Sequence, residues 1–176
     1  PGWRGHRPPL GRPAQRLMSD YIMDMRRLVG KRPLLQVGAS VICVNNAGEL
    51  LLQRRQDNGC WAYPGGSVEL DEPVEDAARR ELAEEMGLRA GALTLWHVFS
   101  GPERHYVYPN GDEVSCVDIV YICRQWTGEV LPQASEVSDW AWFAPDALPQ
   151  PLSPPVAQII RDFAQEMLKS KEATHG

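Results

Sequence analysis

The chain has 176 residues, 43% of them apolar, with 18 basic against 23 acidic side chains and a net charge of −5. A chain of this size forms one domain whose core buries roughly 70% of the unfolded surface, which excludes disorder throughout and any need for a disulfide or metal framework to fold. Four of the basic groups (Arg4, Arg7, Arg12, Arg16) stand in an acid-free opening stretch, so residues 17–176 hold the other 14 against all 23 acids, a balance of −9 that excludes general nucleic-acid or anionic-membrane binding.

Residues 1–17 are rich in Pro, Gly and Arg without a hydrophobic period and read as a disordered basic tail. Residues 18–33 predict a short helix: Ser19 or Asp20 caps it, Tyr21, Ile22, Met25, Leu28 and Val29 form its apolar side, and Gly30 and Pro33 end it. The remainder to residue 170 forms the main domain, with 171–176 as a C-terminal tail. In it LLQVGASVICV, the polar turn NNAGE and LLLQRR predict a hairpin, followed by a helix from Pro73 to Met86 that Gly87 stops. Strands are expected at 92–99 and 138–143. A second hairpin is expected where HYVYP and EVSCVDIVYIC flank Asn110-Gly111-Asp112, because Asn-Gly favours tight turns. An amphipathic helix near 155–169 closes the series. Helices interspersed with hairpins predict an α/β domain in which helices cover a mixed sheet. Cys43, Cys60, Cys116 and Cys123 form no CxxC pair and read as reduced thiols. With no apolar run near the ~20 residues of a membrane span, the expected location is the cytoplasm.

The helix after Pro73 carries the chemistry. At about 100° per residue, Val74, Ala77, Ala78, Leu82 and Met86 share one arc, which must face the core. Glu81 and Glu85 fall in the middle of that arc, and Glu84 flanks them. Two like charges one turn apart repel, and a partly buried carboxylate is costly unless it is paired or coordinates a metal. Arg80 pairs with Glu84 but projects away from the arc. A hard divalent cation such as Mg²⁺ suits these oxygen donors best. Gly65 and Gly66, just upstream, let backbone approach a metal or phosphate without a side chain intervening.

Residues 66–88, GSVELDEPVEDAARRELAEEMGL, resemble a complete Nudix box, GX5EX7REUXEEXGU with U aliphatic: Gly66, Glu72, Arg80, Glu81, Leu82, Glu84, Glu85, Gly87 and Leu88 all match. With the WAYPGG lead-in, the resemblance extends over about 35–168. Asp71 departs from it, standing where Gly is usual, and Asp tolerates the left-handed conformation such a turn needs. The resemblance implies a Nudix-type α/β/α sandwich with a mixed β-sheet and a Mg²⁺-dependent pyrophosphohydrolase, with Mn²⁺ as a substitute, acting on a nucleoside diphosphate derivative such as ADP-ribose, a nucleotide sugar, a dinucleoside polyphosphate or an NTP. It further implies metal ligation by Glu81, Glu85, Glu84 and the Gly66 carbonyl, ligand orientation by Arg80, a bracing role for Glu72, and a homodimer.

The resemblance implies a general base in the box or on a later loop, where the sequence offers Glu103 and Glu136, and by the same resemblance, an acidic residue before the WAWF strand, Glu136 ranks ahead of Glu103. Arg55, next to Arg54 at a strand end, is a candidate for phosphate contact, and Tyr106 and Tyr108, on one side of their strand, are candidates for stacking on a base. His97 and His105 have no ligand-spacing partner, and Trp61, Trp140 and Trp142 read as packing residues. A non-catalytic nucleotide-sensing Nudix domain is the alternative, opposed by the intact box and by the lack of length for a DNA-binding domain after residue 145. An isoprenoid diphosphate isomerase would need a proton-transfer Cys/Glu pairing that the chain does not offer.

Overall fold

The computed structural model describes residues 21–108 and 110–175; the expected basic tail at 1–17 and the capping residues Ser19 and Asp20 lie outside them. In chain order the elements are α1 (Tyr21–Val29), β1 (Leu34–Cys43), β2 (Leu50–Arg55), β3 (Trp61–Ala62), β4 (Gly65–Ser67), α2 (Val74–Met86), β5 (Arg89–Ala90), β6 (Leu93–Phe99), a 3₁₀ turn (Pro102–Arg104), β7 (His105–Val107), β8 (Glu113–Cys123), β9 (Trp126–Thr127), β10 (Val137–Phe143) and α3 (Ala157–His175).

The central sheet is mixed. β1 and β8 run parallel, from Leu34 opposite Val114 to Cys43 opposite Cys123. β4 adds antiparallel to the other edge of β1, while β6 and β7 share the free edge of β8. β10, β2 and β3 make a second sheet, and β5 pairs with β9. Alternation along β1 divides the core. Ala39, Val41 and Cys43 pack with Ala77, Ala78, Leu82 and Met86 of α2, whereas Ile42 and Val44 pack with Ile159, Ile160 and Phe163 on or beside α3. Helices thus cover both faces, and the expected α/β/α sandwich is the architecture.

Two expectations need correction. The stretch 34–55 does not form a hairpin ladder: β1 and β2 enter different sheets, and among the described residues their only backbone pairing is the isolated Val44–Leu50 bridge just past β1, although Val41 and Leu51 share a core. The NNAGE segment does reverse the chain, with Asn45 Oδ1 accepting from the amides of Ala47 and Glu49. Both edges of β1 are nevertheless taken by β4 and β8, so β2 pairs elsewhere. The final helix also runs to His175, past the expected end near 169.

The second hairpin forms as expected, with Tyr106 opposite Val114. Gly111 takes φ 83°, and Asn110 Oδ1 accepts from the Asp112 amide at 3.0 Å. Helix α1 is anchored by Arg26, which is buried and donates to the carbonyl oxygens of Gly30, Arg32 and Glu113, tying the helix to the start of β8. The tryptophans pack: Trp61 meets Phe143 edge-on at 4.9 Å, and Trp142 stacks on Trp126 at 5.4 Å. His105 bonds Glu113, and His97 lies against Phe99. The four cysteines are free thiols.

Candidate active site

The site is built where β4 hands over to α2. Gly65 and Gly66 pair with Ser40 and Ala39 of β1. A Cβ on Gly65 would lie 2.2 Å from Ser40 Oγ, and one on Gly66 would lie 2.5 Å from Glu81 Oε1. These two positions are therefore glycine because a neighbouring strand and a carboxylate press directly on the backbone. The chain then turns through Asp71 at φ 62°, the left-handed conformation expected at this departure from the box pattern. Pro73 precedes the helix in an extended conformation, and Gly87 ends it at φ 72°, its amide donating to the Ala83 carbonyl.

Glu72 locks this loop to the helix. Its carboxylate accepts from the Glu69 amide and takes a two-pronged bond from Arg80, Nε to Oε1 at 2.8 Å and Nη2 to Oε2 at 3.0 Å. The guanidinium holds the Glu72 carboxyl below the usual carboxylate range. Arg80 also donates to the Ser67 carbonyl, to Glu84 at 3.2 Å and to Glu81 at 2.7 Å. The bond to Glu81 differs from the helical-wheel expectation, because sequence neighbours on a helix point apart. Pinned at Glu72, the long side chain folds back along the helix and reaches Glu81 from the loop side.

Glu85 has no such cation. It is buried, and its Oε2 accepts from two neutral donors, Gln53 Nε2 at 2.8 Å and the Gly65 amide at 2.9 Å. Burial pushes its carboxyl up to about 7 against those two bonds, with the charges of Glu81 and Glu136 acting in the same direction. Burial likewise raises Glu81, in spite of Arg80.

Arg80, Glu81, Glu84 and Glu85 line a cavity of about 850 Å³, a size that accommodates a nucleotide. The cavity brings together Gly65, Gly66, Arg80, Glu81, Glu84 and Glu85 with Arg55, Tyr106, Tyr108 and Glu136. Arg55, unlike Arg54, faces it, and is bonded to both oxygens of Asp57. The two tyrosine rings meet edge-to-face at 4.9 Å. Glu72 reaches the site only through Arg80, and Gly87 serves as the cap at the far end of the helix. Glu103 is outside the cavity lining: it sits exposed on the 3₁₀ turn, and its neighbour Arg104 faces inward in its place.

Sequence reasoning missed three participants. Gln53 could have been suspected, as a polar residue inside the apolar run LLLQRR. Arg104 and Asp118, which pair across the cavity floor, carry no local signal, because the pairing depends on how the 3₁₀ turn folds over β8.

The NUDIX domain model matches residues 34–163. The chain belongs to the Nudix family. A MutT-like protein of Streptomyces ambofaciens is 35% identical over 114 residues, which is 65% of this chain and 67% of that protein. The nucleoside triphosphatase NudI of Escherichia fergusonii is 34% identical over 122 residues, covering 63% of this chain and 85% of the relative. Among solved structures, the MutT NUDIX hydrolase of Burkholderia pseudomallei aligns at a TM-score of 0.63 with 33% identity, over 73% of this chain and 97% of that one. The protein is a Nudix hydrolase acting on phosphoric anhydrides.

Nudix enzymes generally use divalent cations, and the donor set here fits one. Two glutamates whose burial disfavours the charged form lie on one helix face, with Glu81 pressed onto Gly66, so a hard cation would relieve both burial and repulsion. Among the described residues, no three acidic, His or Cys side chains already converge on one point. Glu84 is drawn toward Arg80 instead. No helix among the described residues is long and apolar enough to cross a membrane.

Proposed function

We propose that this Nudix hydrolase is a Mg²⁺-dependent pyrophosphohydrolase that cleaves the diphosphate linkage of a nucleoside diphosphate derivative or nucleoside triphosphate by attack of water at phosphorus. The observation that carries the reading is Glu85: a buried carboxylate held only by neutral donors, beside Glu81, on the lining of a nucleotide-sized cavity. Glu81, Glu85 and Glu84, with the Gly66 carbonyl, would hold the cation. When bound, the cation neutralises phosphate charge and lowers the pKa of a coordinated water.

The protein's own groups supply the rest. Arg80 and Glu72 hold the box loop against the helix, so that the glutamates stay aimed at the cavity. Arg55 faces the phosphates with its charge secured by Asp57. Glu136 lines the cavity and is the candidate to take the proton from the attacking water; Glu103, outside the lining, is not. Tyr106 and Tyr108 offer faces and edges for stacking a base.

The test is phosphate release over a panel of ADP-ribose, nucleotide sugars, dinucleoside polyphosphates and nucleoside triphosphates, with Mg²⁺, with chelator, and with metal added back. The relative named as a nucleoside triphosphatase places triphosphates first in the panel. Activity is expected with Mg²⁺ or Mn²⁺ and poor with Zn²⁺. Full activity in excess EDTA would overturn the metal assignment. The reading extends to a cytoplasmic homodimer, in keeping with exposed Leu35, Leu95 and Val98 on the central sheet, and light scattering on the purified chain checks the assembly.

A further inference from the structure

The cavity has a second pole, which the metal chemistry does not use. The register places Ser67, Gly38 and Asp118 in one row across β4, β1 and β8. Asp118 thus lines the cavity two strands from Ser67, and its Oδ1 and the Gly66 carbonyl oxygen both border Gly38: a Cβ there would stand 2.9 Å from the first and 3.6 Å from the second.

Charge decides what this pole can bind. Arg104 is the cation there, and it is already paired: Nε and Nη2 both donate to Asp118 Oδ2, and Nη1 donates to the Pro155 carbonyl. The guanidinium and carboxylate are 11% and 16% exposed, so each is largely withdrawn from water and the pair is close to neutral as a unit. A second phosphate would find no unpaired cation at this pole. A neutral, planar, hydrogen-bonding group fits better, and Tyr106 and Tyr108 line the same cavity with aromatic surface.

Orientation decides which hydrogen bonds it can make. Both Arg104 donors land on Oδ2, so Oδ1 is the oxygen turned to the other side, toward Gly38. A Cβ at Gly38 would stand 2.9 Å from Oδ1, so the absent side chain leaves the carboxylate its seat. An ionised carboxylate only accepts. It attracts an N–H and repels a carbonyl oxygen.

We infer that Asp118, held by Arg104, is a specificity-determining residue that selects nucleotides whose base presents an exocyclic amino group, such as cytosine or adenine, over the oxo counterparts uracil and hypoxanthine. The inference rests on the nucleotide hydrolase reading above and adds the class of base.

The pairs CTP/UTP and ATP/ITP isolate the amino group, because each differs only in amino against oxo on the pairing edge and the accompanying ring proton. The wild-type protein should favour the amino member of each pair by about fivefold or more in kcat/KM, the scale of one hydrogen bond gained against one repelled. The order should persist in the dissociation constants of CMP and UMP. Asp118→Asn then gives a directional test. Arg104 claims the amide oxygen, so the NH₂ group takes the place of Oδ1 and presents donors where the carboxylate presented an acceptor. The preference should invert toward UTP and ITP.

Gly38→Ala is the second variant, since its methyl group crowds Oδ1 without removing charge; it should shrink the preference toward unity. Thermal melts establish that each variant is folded. Equal rates for both members in the wild-type protein, or an unchanged ratio in folded Asp118→Asn and Gly38→Ala, overturn the inference while leaving the hydrolase reading intact. A change confined to the CTP/dCTP ratio overturns it too, assigning Oδ1 to a ribose hydroxyl. Absence of hydrolysis on every nucleotide overturns both.

Discussion

Gln53 Nε2 donates a 2.8 Å hydrogen bond to Glu85 Oε2 between two buried side chains that belong to different structural layers, β2 and α2. The bond fixes the rotamer of a glutamate to which no cation is hydrogen-bonded among the described residues, Arg55 acting on it only through space. The other end of the Gln53 amide, Oε1, is buried without a hydrogen-bond partner, so the residue is held for what its NH₂ group does. Gln53→Glu replaces that donor with a second carboxylate at contact distance. The variant should lose about 1–3 kcal/mol of metal-free stability at pH 8, with partial recovery near pH 5, where the two acids can share a proton. Urea unfolding at both pH values measures this, and equal stability at pH 8 would mean that the amide is passive filling.

Glu85 itself makes the metal-free protein pH-sensitive. Its carboxyl is near 7 in the fold against an ordinary 4.5, so between these values the folded protein keeps a proton that the unfolded chain releases. The contribution of Glu85 to stability is therefore fully present below about pH 4.5 and declines as pH rises toward 7, by up to about 3 kcal/mol. Glu81 shifts in the same direction and adds to the slope. Glu85→Gln keeps the volume and the acceptor for Gln53 and Gly65 while removing the charge. The variant should be level with or more stable than the parent without metal, by a margin that widens from pH 5 to pH 7.5. Its turnover should nonetheless fall at least about 10³-fold. Melts without metal and kcat with Mg²⁺ decide the matter: a destabilised variant that keeps its turnover would make Glu85 structural.

How much of this was legible in the sequence depended on how local the cause was. The box helix could be read because 3.6-residue periodicity puts Glu81 and Glu85 into the apolar arc, and the structure buries Glu85 among Ala77, Ala78, Leu82 and Met86. Asp71 was legible because few side chains accept positive φ. The 34–55 hairpin was misread because a polar turn shows where the chain reverses, not which strands compete for the edges of β1. The Arg80–Glu81 bond was misread because the wheel fixes where a side chain leaves the helix, while Glu72, eight residues upstream, fixes where this one ends. Arg104 and Asp118 were invisible, since their meeting is a property of the folded sheet.

The Arg80–Glu72 clamp predicts that charge alone is insufficient at position 80. Lysine offers a point charge and cannot make two parallel bonds to Glu72 while also holding the Ser67 carbonyl. Arg80→Lys should therefore cost about 1–2 kcal/mol in stability and lower kcat, while metal-dependent turnover persists. Arg80→Ala should cost more in both, since it also exposes Glu72, Glu81 and Glu84 to one another. Unfolding curves and Mg²⁺ titrations of activity test the pair. A lysine variant indistinguishable from the parent would reduce the clamp to simple charge balance.

The last prediction concerns the proton acceptor. Glu136 lies in the turn before β10, in the segment anchored by the Gln133 amide donating to the Glu85 carbonyl and by the Gln56 amide donating to the Glu136 carbonyl. Its backbone is thus tied both to the box helix and to the end of β2, and its side chain lines the cavity, close enough to raise both Glu81 and Glu85. Glu103 is separated from this cluster by the direction of the 3₁₀ turn, which sends Arg104 inward and Glu103 outward. Glu136→Gln should lower kcat by roughly 10²-fold with little change in the Mg²⁺ concentration needed for half-maximal activity, and should flatten the acid limb of the pH–rate profile. Glu103→Gln should keep kcat within about twofold of the parent. The two variants differ from their parent by the same single amide, so a simple change of net charge predicts equal effects, whereas proton transfer predicts a large loss at 136 alone. If Glu136→Gln retains normal turnover and an unaltered pH profile, the proton must pass to a glutamate of the box helix.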